Sequence, residues 1–180
     1  MPRLFVAVDV PDAIKDQLVT LCTGVAGAKW VQREQLHLTL RFIGEVDSAK
    51  FQQIKTALSD VRSAPFSMAL RGVGQFPPKR AARVLWVGVD APPALNQLHA
   101  QVETTLNRLD FAPEERPFSA HLTLARLKNP PPPSVVQDYL SRHAAFQSES
   151  FPITEFVLYS SVLAPQGATY RCEAVYQLST

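Results

Sequence analysis

The sequence predicts an α+β protein, a single domain over residues 1–180 that is built from two similar lobes. Strand-like and helical hydrophobic periods alternate along the chain, the alternation runs twice, and short segments recur at a nearly constant offset. The 180 residues are enough to bury a substantial core. With 46% hydrophobic and 19% charged residues, the composition excludes a disordered or fibrous chain.

The predicted elements follow from these periods. Strands are predicted over residues 4–8, 36–43, 66–73, 84–89, 119–127, 153–158 and 170–178. Helices are predicted where apolar residues recur every three or four positions, around residues 14–21, 51–61, 95–109 and 136–140. Asp47 and Ser134 are predicted N-caps, because their side-chain oxygens can accept a hydrogen bond from the first helical turn. The proline run 130–133 is predicted to be a rigid connector.

An internal repeat relates the two halves of the chain. Residues 4–11 resemble residues 85–92 at an offset of 81, and Phe66 and Phe151 open matching strands at an offset of 85. The tetrapeptide that begins at His37 recurs without change at His121, an offset of 84. Coincidence among short apolar strands is the weaker explanation, so the repeat predicts two similar lobes that share a core.

Charge and cysteine content narrow the classes of function. The formal net charge is only +2, too small to hold long nucleic acid by bulk charge, so an anion is expected to be bound locally. Cys22 and Cys172 form neither a close pair nor a metal-binding spacing, which predicts a reduced, cytoplasmic protein. The first apolar run stops at Asp9 and is too short for a signal peptide or a membrane span. We expect a monomer without a membrane partner.

The repeated tetrapeptide His-Leu-Thr-Leu carries the candidate chemistry. Because side chains alternate along a strand, His37 and Thr39 are predicted on one face and the leucines on the other, and His121 and Thr123 likewise. Imidazole has an ordinary pKa near 6.5, so one ring can accept a proton from an attacking hydroxyl or water while the other donates to a leaving oxygen. The threonine hydroxyls can donate to phosphate oxygens. The motifs therefore predict metal-free phosphoryl chemistry in one cleft.

Two structural alternatives compete with this interpretation. A single histidine in a strand is more often a structural residue, but two identical motifs make that explanation weaker. A zinc site needs three or four ligands, and neither motif places such a group beside its histidine. The remaining histidines, His99 and His143, lie in helical patterns and are expected to be packing or surface residues.

The motifs and their context resemble the 2H phosphoesterase superfamily, and within it the RNA 2′,3′-cyclic phosphodiesterase branch, the LigT-like or 2′-5′ RNA ligase family. The resemblance covers residues 4 to about 178. It is carried by residues 30–31, 37–46, 83–89, 121–126 and 158–161, with Gly167 and Tyr170 beyond. Ala120 is a departure, since members of the family often have proline before the second histidine.

The resemblance implies a bilobal α+β fold, with antiparallel sheets flanking a central cleft and helices outside. It also implies hydrolysis of RNA 2′,3′-cyclic phosphate ends, or of related cyclic nucleotides, to 2′-phosphomonoesters without metal or cofactor. On the matching positions, His37 is the proton donor to the leaving 3′ oxygen, His121 activates water, and Thr39 and Thr123 hold the phosphate. The reverse reaction with a 5′-hydroxyl is 2′-5′ ligation. A non-catalytic module that binds RNA ends or nucleotides in the same cleft is the alternative.

Two further residues are candidates for substrate binding. The resemblance favours Arg126, although strict alternation from His121 places it on the opposite face of the strand. Phe42 has the same parity and is either a base-stacking residue or a core residue. Lys79 and Arg80, in the turn after two prolines, either follow an RNA backbone or form an ordinary solvated loop.

Overall fold

The computed structural model describes residues 2–165 and 167–180. Its strands are β1 (Arg3–Asp9), β2 (Lys29–Trp30), β3 (His37–Glu45), β4 (Phe66–Phe76), β5 (Val84–Asp90), β6 (His121–Arg126), β7 (Phe151–Ile153), β8 (Glu155–Ala164) and β9 (Gly167–Gln177). Its helices are α1 (Asp12–Val19), α2 (Ser48–Leu58), α3 (Pro93–Asn107) and α4 (Pro133–His143), with a 3₁₀ helix at Arg33–Gln35. This content confirms the predicted α+β class.

The strands form one antiparallel sheet in the order β7-β4-β5-β6-β3-β1-β8-β9, and β2 pairs with β6. The central strands β3 and β6 meet through a single residue pair, Leu38 and Leu122. Strands β7, β4, β5 and β6, with β2, lie on one side of this junction, and β3, β1, β8 and β9 lie on the other; these two groups are the lobes. A junction of one pair leaves the two central strands free to diverge above and below it.

The third strand of each repeat pairs with the first strand of the other repeat. By the offsets in the sequence, β1, β3 and β4 correspond to β5, β6 and the β7–β8 segment. In the sheet, β4 pairs with β5, while β8 pairs with β1. Each lobe in space therefore contains strands from both halves of the sequence, and the lobes are interleaved rather than consecutive.

The core lies between the helices and one face of this sheet. Leu38 and Leu122 are fully buried there, in one cluster with Leu18 of α1, Ile54 of α2 and Leu98 of α3. The amphipathic helices bury their apolar faces on this side, so the opposite face of β3 and β6 is left for the candidate site. Among the described residues, no helix has the length and apolar character needed to cross a membrane.

Some local predictions hold and others are wrong. The Asp47 side chain accepts a hydrogen bond from the Lys50 N–H at 2.7 Å, which confirms it as an N-cap. Ser134 is not the cap of α4, because that helix begins at Pro133, where the missing N–H of proline costs nothing. The strand predicted over 153–158 is divided between β7 and β8. The short strand β2 and the 3₁₀ helix were missed, since elements of two or three residues show no period.

Candidate active site

The single junction between β3 and β6 brings both tetrapeptide motifs together. Leu38 pairs with Leu122 in an antiparallel arrangement, and that register directs His37 towards the Thr123 side of the junction and Thr39 towards the His121 side. All four side chains project from the face away from the core and are partly exposed. Because the strands are antiparallel, His37 and His121 lie on opposite sides of this residue pair, an arrangement that allows the two imidazoles to approach one phosphate from opposite sides.

Bulges in both central strands change the face on which later residues lie. In the β1–β3 ladder, Ala7 pairs with Thr39 but Val6 pairs with Arg41, which leaves Leu40 as an extra residue. In the β5–β6 ladder, Trp86 pairs with Thr123 but Leu85 pairs with Ala125, which leaves Leu124 as an extra residue. One extra residue in a strand reverses the alternation of every side chain that follows.

The bulges place Phe42 and Arg126 on the same face as the histidines, so the parity of strict alternation is wrong for both. Phe42 pairs with Phe5, whose ring contacts His37, and Arg126 pairs with Val84, two residues from Trp86. Phe42 and Arg126 are 84 residues apart, the offset of the two histidines. Equivalent positions of the lobes thus carry an aromatic ring, 62% exposed, and an exposed guanidinium.

Arg41, between Leu40 and Phe42, is buried and lies on the core side of β3. Arg41 is 6% exposed, and its guanidinium forms an ion pair with Glu103 of α3 at 3.1 Å and donates to the carbonyl oxygen of Ala112. A buried charge needs such a partner. The pair ties β3 to α3 directly behind the candidate site.

Aromatic rings surround His37. The imidazole stacks on Phe5 at 5.1 Å between ring centres and on Tyr159 at 5.8 Å, and the Tyr170 ring stands edge-on to it at 5.3 Å. Burial by these rings is the main cause that lowers the pKa of His37 from 6.5 to about 4, and Asp9 opposes this shift. The His37 ring is therefore neutral at neutral pH in the protein without substrate.

The surroundings of His121 are different. Its Nδ1 lies 2.8 Å from the carbonyl oxygen of Ser119, a contact that requires Nδ1–H and leaves Nε2 of the neutral ring as the nitrogen that can accept a proton. Phe76 stands edge-on at 5.0 Å, and Trp86 lies at 6.3 Å. The indole fits because Gly74 has no side chain: a Cβ there would clash with the ring. Sequence reasoning missed these aromatic residues, although Phe5 and Trp86 are repeat equivalents.

An ion pair between a buried lysine and a partly exposed aspartate lies beside His37, and the equivalent positions beside His121 do not repeat it. Lys15 is 7% exposed, and its Nζ lies 3.1 Å from Oδ1 of Asp9, the strand partner of His37. At the offset of 81, the second repeat has Asn96 and an exposed Asp90. The two histidines thus occupy unequal electrostatic environments within one symmetric frame.

The burial of His37 predicts a pH dependence of stability. Below pH 6.5 the unfolded chain takes up a proton on this ring that the folded protein rejects until about pH 4, so stability falls as the pH falls through this window. The loss at the acid end is about 3 kcal/mol, from the difference between the two pKa values. Urea unfolding at pH 7, 5.5 and 4 should show a steeper decline for the wild type than for His37→Ala. Parallel declines would contradict the prediction.

The other candidates lie outside the junction of β3 and β6. Lys79 and Arg80 are exposed in the β4–β5 turn, which Gln75 holds by donating to the carbonyl oxygens of Pro77 and Arg80. His99 stacks on Phe118 at 4.1 Å between ring centres. In the part of the chain that the structure describes, no three His, Cys, Asp or Glu side chains are grouped as metal ligands.

Comparison with known proteins identifies the family of the chain. The family model described as LigT like phosphoesterase matches the chain twice, over residues 8–86 and 87–170, once for each repeat. The chain belongs to the LigT-like phosphoesterase family.

Relatives of this LigT-like phosphoesterase match it over nearly its whole length. A protein of Archaeoglobus fulgidus named RNA 2′,3′-cyclic phosphodiesterase is 38% identical over 97% of this chain and 99% of its own. The crystal structure of the Thermus thermophilus protein TT0787 has a TM-score of 0.82, with 30% identity, and covers 98% of this chain and 97% of its own. The structure of Escherichia coli LigT complexed with 3′-AMP has a TM-score of 0.81, with 29% identity, and covers 100% of both chains.

Proposed function

We propose that this LigT-like phosphoesterase hydrolyses RNA 2′,3′-cyclic phosphate ends to 2′-phosphomonoesters. The observation that carries the proposal is the pairing of Leu38 with Leu122, because it sets the two His-Leu-Thr-Leu strands side by side, with their histidines and threonines partly exposed and their leucines buried. The names of the relatives support the cyclic phosphate as the substrate, and the complex of Escherichia coli LigT with 3′-AMP supports a nucleotide in this fold.

In the proposed mechanism, the two histidines act on opposite sides of phosphorus. Nε2 of His121 accepts a proton from water, whose oxygen forms a bond to phosphorus while the bond to the 3′ oxygen breaks. His37 gives its proton to that 3′ oxygen, and the product keeps the phosphate on the 2′ oxygen. Thr39 and Thr123 donate hydrogen bonds to the non-bridging oxygens, where negative charge is held in the transition state.

His37 has to take up a proton from solvent when the substrate binds. Since burial keeps the ring neutral in the free protein, the imidazolium needs a nearby negative charge to be stable. The cyclic phosphate carries that charge into the cleft and raises the pKa of His37. Protonation of the acid is thus coupled to substrate binding, and Asp9 assists it from the neighbouring strand.

Phe42 and Arg126 extend the proposed site along the RNA. Arg126 supplies a cation to phosphate oxygens, and Phe42 offers its exposed ring for stacking on a base. We also infer a cytoplasmic monomer, since one chain supplies every group of the site, and Cys22 and Cys172 are free thiols. With a 5′-hydroxyl in place of water, the same groups run the reaction backwards as 2′-5′ ligation.

The proposal is tested with a short RNA that ends in a 2′,3′-cyclic phosphate, incubated with the protein in EDTA. We expect complete conversion to the 2′-phosphate, identified by phosphorus NMR and by its difference from a 3′-phosphate standard. Tight binding of the RNA end without turnover would contradict the proposal and favour a non-catalytic binding module. Adding an RNA with a free 5′-hydroxyl at high concentration measures ligation in the same assay.

A further inference from the structure

A cavity of about 240 Å³ adjoins the candidate site on the His37 side. It lies between the 3₁₀ helix and the β8–β9 hairpin and is lined by Gln32, Glu34, Gln35, Gly167, Ala168, Thr169 and Tyr170. The hairpin reaches the 3₁₀ helix because Nε2 of Gln35 donates to the carbonyl oxygen of Ala168. Tyr170 lines the cavity and also contacts His37, so one aromatic ring separates the cavity from the proposed proton donor.

The polar groups of this cavity include donors and acceptors, but the one charged side chain among the described residues of its lining is the Glu34 carboxylate, which can only accept. Gln35 keeps one amide N–H after donating to Ala168, and Gln32 and Thr169 can donate as well as accept. A carboxylate repels phosphate, so the cavity suits a neutral part of RNA. The part of a nucleotide that carries N–H donors on a flat ring is the base, and the Tyr170 ring is available to it for stacking.

We propose that this cavity binds the base of the nucleotide that carries the cyclic phosphate, and that it prefers adenine and cytosine. Adenine N6 and cytosine N4 present an amino donor that the Glu34 carboxylate accepts, whereas guanine O6 and uracil O4 are acceptors in the same place. The inference rests on the proposed function, since it takes the phosphate to lie between His37 and His121.

A positive charge at the mouth of the cavity suits the RNA backbone that leads to the terminal nucleotide. Nζ of Lys29 lies 3.7 Å from the position that a Cβ on Gly167 would occupy. Lys29 is also the strand partner of Arg126, so the two cations lie side by side at the junction of β2 and β6. They are placed to meet the phosphate that joins the terminal nucleotide to the preceding one, which leaves the base free to enter the cavity.

The test compares kcat/KM for four short RNAs that differ only in the base next to the cyclic phosphate. The wild type is expected to favour A and C over G and U by about tenfold. Glu34→Gln, a nearly isosteric change of an exposed side chain, is expected to remove most of this preference by lowering the rates for A and C. Glu149→Gln, another exposed carboxylate outside the cavity, is the matched control and should keep the wild-type preference.

A second measurement separates this inference from the proposed function. Competition between 2′-AMP and 2′-UMP for the protein reports base preference without any turnover. Preferential binding of 2′-AMP that Glu34→Gln abolishes supports the subsite even if no cyclic phosphate is hydrolysed. Equal binding of the two, or the same preference in the wild type and Glu34→Gln, overturns the subsite even if hydrolysis is rapid.

Discussion

Replacement of His37 or His121 by alanine is expected to lower kcat/KM for RNA 2′,3′-cyclic phosphate ends by about a thousandfold. A positioned general acid or base contributes about 10²- to 10⁴-fold, and either variant removes one. The double variant is expected to be little worse than either single variant, because both groups serve the same transition state. Initial rates on a short RNA, measured beside circular dichroism spectra, give the result.

His143→Ala is the matched control for these variants. Its ring contacts Tyr139 on α4, outside the cleft, so the rate should stay within a factor of two of the wild type. A thousandfold loss in the control, or wild-type rates in either cleft variant, would remove the basis of the proposed mechanism.

The pH profile of the wild type is a second test of His37 and His121. Because kcat/KM reports the free enzyme and kcat the bound complex, the pKa of His37 should be near 4 in kcat/KM and higher in kcat. The bound phosphate causes the difference. Identical apparent pKa values in both profiles would show that substrate binding does not protonate His37.

Replacement of Arg126 by alanine is expected to lower kcat/KM by about 30-fold, the second-largest effect. The cost of losing a charge-assisted hydrogen bond is about 1.5–3 kcal/mol. Arg126→Lys should recover only part of the rate, since an ammonium ion lacks the planar fork that fits two phosphate oxygens. The steady-state parameters of both variants, on one RNA at fixed salt, supply the measurement.

Arg62→Ala is the matched control for Arg126, since this exposed arginine donates to the carbonyl oxygens of Ser59 and Val61. A rate equal to that of the wild type is expected there. If Arg126→Ala behaves like the control, the guanidinium lies on the cleft face without reaching the substrate.

Residue pattern alone determined the elements that the chemistry needs. Alternation within the His-Leu-Thr-Leu strands placed His37 and His121 on a polar face, because the leucines that alternate with histidine and threonine in each motif have to be buried. The repeated tetrapeptide also indicated two lobes, which the family model supports by matching each repeat once. These signals are local, and a period of two residues within a strand survives any arrangement of the lobes.

Other features required the folded chain. The faces of Phe42 and Arg126 depend on one extra residue in each central strand, and a bulge is visible only in the register with the neighbouring strand. The low pKa of His37 depends on rings from three other strands, including Tyr159 and Tyr170, which lie far away along the chain. Hydrophobic periodicity reports which side of a strand is buried, whereas strand pairing and burial by distant side chains are properties of the tertiary structure.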